Sequence, residues 1–258
     1  KADAQIKEHQ SFSYMKGKKV ASIDWQPKQS KIIVAFSCVD NKCFNERINT
    51  LGKTQISYVI VWDIKADPIY PRFLLQSPHD VNVIKFNPVA PHIIVGACTN
   101  GQVILWEIPV ESTQVGQTDE DKPKEREVEQ IRWKQISTIE LGHVNRVNDI
   151  QWLPEGKEMG QDGKLKDVGA EECNQFFTIG SDAKIHVWDI RKEKTRKVFS
   201  KKKFEKYKDE WMPIQSLNTL LMDGVREFLG VSMCLGETSR NPYQLLLTSE
   251  TGDFAIAD

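Results

Sequence analysis

Val20-Ala21-Ser22-Ile23-Asp24-Trp25-Gln26-Pro27 recurs without gaps as Val81-Asn82-Val83-Ile84-Lys85-Phe86-Asn87-Pro88, and again as Val147-Asn148-Asp149-Ile150-Gln151-Trp152-Leu153-Pro154. In each copy an Ile and an aromatic flank one polar residue: Asp24, Lys85 or Gln151. Side chains alternate across a strand with period two, so the pattern predicts a strand with one face more buried than the other. The proline that follows cannot donate to a ladder and closes the strand.

A second trio follows the first: Val59-Ile60-Val61-Trp62-Asp63-Ile64, Val103-Ile104-Leu105-Trp106-Glu107-Ile108 and Ile185-His186-Val187-Trp188-Asp189-Ile190. Each is rich in β-formers and ends in Trp, an acid and Ile. A fourth copy, Phe254-Ala255-Ile256-Ala257-Asp258, has Ala257 where Trp would stand. Apolar runs at Lys31–Ser37, His92–Ala97 and Gln175–Ile179 supply a strand between the trios, and Phe73–Leu75 and Ile136–Leu141 fit a fourth strand after the Trp. Trp62 and Trp106 are 44 residues apart, the period of a four-stranded blade; Trp106 and Trp188 are 82 apart, nearly twice that. The spacing from Pro to Trp is 35, 18 and 34 residues in the three units. Units one and three therefore carry inserted loops, near 38–55 and 155–173, and a polar loop at 111–130 follows the second Trp. Strands held fixed while surface loops lengthen is an inexpensive variation.

The pattern is that of the WD-repeat β-propeller, an all-β fold, with about three and a half to four blades in this segment. Propellers have 4–8 blades, so the segment is expected to be part of a larger propeller and the chain a piece of a longer protein. Residues 1–15 read as a lead-in and 16–258 as the partial propeller. In this family a hydrogen-bond chain from a His, through Ser/Thr and Asp, to the Trp ties each blade. Unit three has the full set: His143, Thr178, Asp182 and Trp188. Such buried polar groups must be paired, and a satisfied network fixes strand register. Unit two keeps Trp106 but has Ser77, Gly96 and Asn100 at the other positions, with His79 two residues out of register; unit one keeps only Trp62-Asp63.

The chain has 35 basic and 36 acidic residues, a net charge of −1. A dedicated nucleic-acid binder would show a basic excess, so no nucleic-acid partner is expected. No apolar run approaches the ~18 residues of a membrane helix, and no membrane partner is expected. Five scattered cysteines form no Cys-x-x-Cys pair, which fits reduced thiols in a cytosolic-type compartment rather than a metal or disulfide framework. The nucleophile-elbow, phosphate-loop, dinucleotide and zinc-protease motifs are all missing. No enzyme activity, cofactor or metal is expected.

Two charged stretches remain. Glu111–Gln130, with seven acids and three bases, reads as a mobile polar loop. Arg191–Lys208, with ten bases and two acids, reads either as a solvated linker or as a dock for an acidic partner such as a tubulin tail. Lys19, Asp80 and Arg146 stand at equivalent positions just before the innermost strand, on the rim propellers commonly use for binding, and are candidate partner contacts.

Glu8–Phe12 with Lys16–Trp25 resembles the start of the propeller in dynein intermediate chains. Leu75–Asp80, Phe86–Pro88 and Pro91–Val103 resemble that family's Gly-Gly-Cys-x-Asn-Gly-Gln turn segment, with Ala97 replacing the second Gly. Asp149–Pro154 and Lys206–Trp211 are most similar to the axonemal inner-arm branch, that of the two-headed inner arm. The resemblance implies a non-catalytic scaffold that grips the dynein heavy chain and pairs with a second dynein intermediate chain. It implies help in holding the motor on the doublet microtubule or its tether proteins, and dynein light chains bound through regions not seen here. The cytoplasm and the ciliary axoneme would be its places. A general WD-repeat adaptor, such as a ubiquitin-ligase substrate receptor or an intraflagellar transport subunit, shares every fold-level feature. An enzyme on a propeller is the third alternative.

Overall fold

The computed structural model describes residues 16–27, 33–40, 56–64, 70–109, 128–169, 171–191, 210–221, 224–236 and 243–257. The lead-in 1–15 lies outside them, as do most of the inserted loop at 38–55, of the polar loop at 111–130 and of the basic run at 191–208. Every element among the described residues is a strand.

Blade one is formed by β1 (Lys18–Trp25), β2 (Ile33–Asp40), β3 (Ser57–Asp63) and β4 (Tyr70–Ser77), paired in sequence order and antiparallel. Blade two uses β5 (Val81–Phe86), β6 (Ile93–Cys98) and β7 (Val103–Glu107). The chain then returns to blade one, where β8 (Glu129–Ile131) adds a fifth strand parallel to β4, before β9 (Gln135–Ile136) completes blade two against β7. Blade three is β10 (Val147–Trp152), β13 (Gln175–Gly180), β14 (Lys184–Asp189) and β15 (Gln215–Asn218), interrupted by a hairpin of β11 (Lys157–Met159) and β12 (Leu165–Asp167). Blade four shows β16 (Gly230–Gly236), β17 (Gln244–Ser249) and β18 (Phe254–Ala257).

One irregularity recurs in all four innermost strands. Each carries a register shift at its second repeat residue: between Val20 and Ser22, Val81 and Val83, Val147 and Asp149, and Gly230 and Ser232. A bulge places two residues against one, turns the extra side chain out of the pleat and sharpens the local twist. It also marks Gly230 as the start of blade four's innermost strand. Gly230 stands where the other units have Val because the side chain of Ile179 fills that space: a Cβ there would lie 2.0 Å from its Cδ1.

The core is layered between blades. Ala35, Val59, Val61 and Phe73 of blade one meet Ile84, Phe86 and Trp106 of blade two. Val95 and Leu105 of blade two meet Ile150, Phe176 and Trp188 of blade three. Phe177, Ile179 and Val187 meet Met233, Leu245 and Leu247 of blade four. Neighbours in sequence, such as Phe176 and Phe177, thus bury against opposite blades. That is why the middle strands β6 and β13 are buried at every residue and read as continuous apolar runs.

Four readings of the sequence need correction. Ile23 and Trp25 do not lie on a buried face: they are 55% and 58% exposed. Blade two covers the Ser22 and Asp24 side of β1, through bonds from Ile84 N to Ser22 Oγ and from Phe86 N to Asp24 Oδ2, and no described element covers the other side. The fourth strand expected over Ile136–Leu141 is only β9, since residues 139–142 turn. The polar loop at 111–130 is not irregular to its end, because Glu129 and Gln130 pair with Phe73 and Leu74. Lys19 lies within β1 rather than before it.

Candidate functional site

Lys19, Asp80 and Arg146 belong to three different blades, 61 and 66 residues apart in sequence. The fold brings all three to one open hollow of about 430 Å³, which Asp40, Asn82 and Thr99 also line. Ala21 and Val39 add its apolar surface. Residues at the heads of the innermost strands β1, β5 and β10 converge on it.

The charges differ in their freedom. Asp80 accepts a hydrogen bond from Lys18 Nζ at 2.6 Å and another from the main-chain N–H of Asp40 at 2.7 Å. Burial would raise the Asp80 carboxyl, but the bond from Lys18 and the amide of Asp40 outweigh it and hold it below the usual carboxylate range. Lys18 also lies 3.6 Å from Asp40. One lysine, which the sequence reading did not select, therefore serves both acids. Lys19 and Arg146 are exposed, and among the described residues neither forms an ion pair.

Below the rim, polar side chains bolt the blades together. Asn82, a bulge residue, donates through Nδ2 to the carbonyl of Val147 at 2.9 Å. Asn148, the bulge residue of the next blade, donates to the carbonyl of Gly230 at 2.7 Å. The acceptor in both cases is the first residue of the following blade's innermost strand. The signal was in the sequence as the repeated dipeptide Val81-Asn82 and Val147-Asn148.

The four tie residues of blade three form one buried chain. Trp188 Nε1–H donates to Thr178 Oγ1, Thr178 Oγ1 lies 2.8 Å from His143 Nε2, and His143 Nδ1 lies 2.8 Å from Asp182 Oδ1. Every donor finds an acceptor if His143 carries its proton on Nδ1 and accepts from the Thr178 hydroxyl at Nε2. Burial opposes ionisation of Asp182, yet the bonds from His143 and the Val144 amide keep its carboxyl below the ordinary value. His186 packs edge-on against His143 at 4.2 Å and bonds Ser216. Burial first, then the nearby His143, push the His186 imidazole down to about 3. His143, Asp182 and His186 bring ligand-type atoms within 4.8 Å of one another. Both His143 nitrogens are already spent in the tie, so a cation could bind only by dismantling it.

Blade two satisfies its Trp differently. The Trp106 ring fills the space that a side chain at position 96 would need: a Cβ on Gly96 would lie 2.7 Å from Cζ3. The indole N–H reaches the carbonyl of Gln76, on β4 of blade one, at 2.8 Å. Ser77 bonds within its own turn and lies 3.6 Å from Cys98 Sγ, and Asn100 bonds within its own turn. In blade one, Trp62 is buried, its ring 6.1 Å from that of Phe36.

Asp189, the acid after the blade-three Trp, is fully buried and holds Arg191 through two side-chain bonds of 2.9 and 2.7 Å. Arg191 also pairs with Glu158 on the β11–β12 hairpin, and Trp211 donates to the Asp189 carbonyl. The chain thus leaves for the basic run at Arg191 and returns from it at Trp211, both bound to Asp189. The thiols of Cys38, Cys98 and Cys173 are pushed up to about 11, 12 and 12 by burial, the opposite of an activated nucleophile.

The family model for the dynein axonemal intermediate chain 3 WD40 domain matches residues 4–250. Dynein axonemal intermediate chain 3 of Homo sapiens is 32% identical over 228 residues, covering 80% of this chain and 25% of the human protein. That of Danio rerio is 32% identical over 203 residues, covering 74% and 21%. Dynein axonemal intermediate chain 2 of Homo sapiens is 27% identical over 171 residues, covering 66% and 21%. The chain spans about a quarter of the length of the curated relatives it matches.

Proposed function

The chain belongs to the dynein axonemal intermediate chain 3 WD40-domain family, and we propose from that premise that it is a non-catalytic scaffold subunit of an axonemal dynein motor complex. It works at the ciliary axoneme, in the inner arm, where it holds the tail of a dynein heavy chain and pairs with a second intermediate chain. Light chains join through regions outside this segment, and the doublet microtubule or its tethers are further contacts. The protein is made in the cytoplasm and carried to the axoneme.

The observation that supports the reading best is the division of polar chemistry. The His143 chain and Asp189 are consumed in bonds within blade three, and Asn82 and Asn148 in bonds between neighbouring blades. At the rim, Lys19 and Arg146 stand exposed and form no ion pair among the described residues. A wheel stiffened inside and chemically open at its rim suits a part that other proteins hold.

Immunoprecipitation of the tagged full-length protein from detergent extracts of cilia tests it. Recovery of a dynein heavy chain with a second intermediate chain is expected. Recovery of a ubiquitin-ligase scaffold or an intraflagellar transport complex, with no motor, would replace this reading with the general adaptor.

A further inference from the structure

We propose that the rim hollow receives an acidic peptide segment of a protein partner, with Lys19 and Arg146 as its anion contacts. The proposal rests on the scaffold reading and adds to it the chemistry of the partner.

The assignment follows from which charges are already satisfied. The hollow holds two acids and two bases among its lining residues, which by count alone would select nothing. Lys18 changes the balance: its ammonium lies 2.6 Å from Asp80 and 3.6 Å from Asp40, and all three side chains are more than four-fifths buried. The acids therefore face inward to one shared lysine, and Asp80 takes a main-chain N–H as well. Lys19 and Arg146 have no such partner among the described residues and stand exposed on blades one and three. The guanidinium of Arg146 can take a carboxylate in bidentate fashion and Lys19 can act as a point charge, which together suit two acidic side chains of one extended segment. Asp80 thus changes role from the sequence reading: it is the internal counter-charge of Lys18, not a contact. Ala21, Val39 and Thr99 leave a lining that admits the aliphatic stem of a Glu.

The test is fluorescence anisotropy of a labelled ten-residue glutamate-rich peptide with the full-length protein, against a lysine-rich peptide of equal length. Binding of the acidic peptide alone is expected, weakening at least tenfold between low and 0.3 M salt. The Lys19→Glu/Arg146→Glu double variant should lose at least tenfold in affinity while its urea midpoint stays that of the parent. Lys164→Glu, on the β11–β12 hairpin and not among the lining residues, should bind as the parent does. The basic run 191–208 is unchanged in every variant, so equal binding by the double variant would place the peptide elsewhere and overturn the proposal. Absence of acidic-peptide binding by the parent would overturn it too. Heavy-chain recovery from cilia is scored separately: its presence with no peptide binding refutes the hollow alone, and its absence refutes the scaffold reading.

Discussion

Asn82 and Val147 lie on neighbouring blades, and the side-chain amide of the first donates to the main-chain carbonyl of the second at 2.9 Å. Asn148 repeats the bond one blade further on, to Gly230. Because Asn82 is a bulge residue, its side chain leaves the pleat and can cross to the next blade. The bulge and the asparagine together set how closely the innermost strands approach.

Asn82→Ala should therefore destabilise the propeller by about 1–3 kcal/mol, since a buried carbonyl loses its donor. Asn82 is 8% exposed and Asn148 is half-buried, so Asn148→Ala should cost less. Urea unfolding of the full-length protein reads both. Equal, negligible losses would show that the bond is incidental.

Trp188→Ala should cost at least about 3 kcal/mol, from lost burial and from orphaning Thr178. Thr178→Val keeps the shape but removes the acceptor for Trp188 and the donor to His143, and should cost about 1–3 kcal/mol. A loss below about 1 kcal/mol for Trp188→Ala in chemical denaturation would mean that the chain of bonds does not hold blade three.

Gly96→Ala should be destabilising by about 1–3 kcal/mol, because its methyl would meet the Trp106 ring. Trp106→Phe removes the far ring of the indole and makes room. The double variant should then be more stable than the sum of the single losses predicts, by about 0.5 kcal/mol or more. Strict additivity would mean the two residues do not compete for the same space.

Stability should depend on pH through His186. The unfolded chain takes up a proton there near pH 6.5, while the fold refuses it until about pH 3. Between those values the unfolded state binds more protons, so stability rises with pH across the window and is fully present above it. Unfolding at pH 5 should be easier than at pH 7 by on the order of 2 kcal/mol. Asp182, whose carboxyl is held low, adds a loss only at more acidic pH, as its folded form protonates. In His186→Gln the slope between pH 5 and 7 should flatten. An unchanged slope would move the effect to other groups.

The strand blocks of blades two and three were legible because Ile84, Phe86, Trp106, Ile150, Trp152 and Trp188 carry the packing between blades, and packing fixes residue type at fixed spacing; Ile23 and Trp25 keep the pattern while exposed. The tie at His143, Thr178, Asp182 and Trp188 was legible because buried polar groups need particular partners. Blade four's innermost strand was not, since Gly230-Val231-Ser232-Met233-Cys234 has neither the aromatic nor the closing Pro. Its Gly reflects the bulk of Ile179, a contact no local pattern encodes. The β8 strand was also hidden: three residues paired in parallel with a strand more than fifty residues earlier leave no periodic trace. At the rim, Lys19, Asp80 and Arg146 were found from repeat position. Lys18, which decides which of their charges is open, was not, because its ion pair with Asp80 forms only when blades one and two meet.

Electron tomography of axonemes from cells lacking this protein tests most directly whether it is a dynein-arm scaffold. Loss of one inner-arm density from the repeat, with outer arms intact, is the predicted result. Axonemes that keep every arm at full occupancy would contradict it.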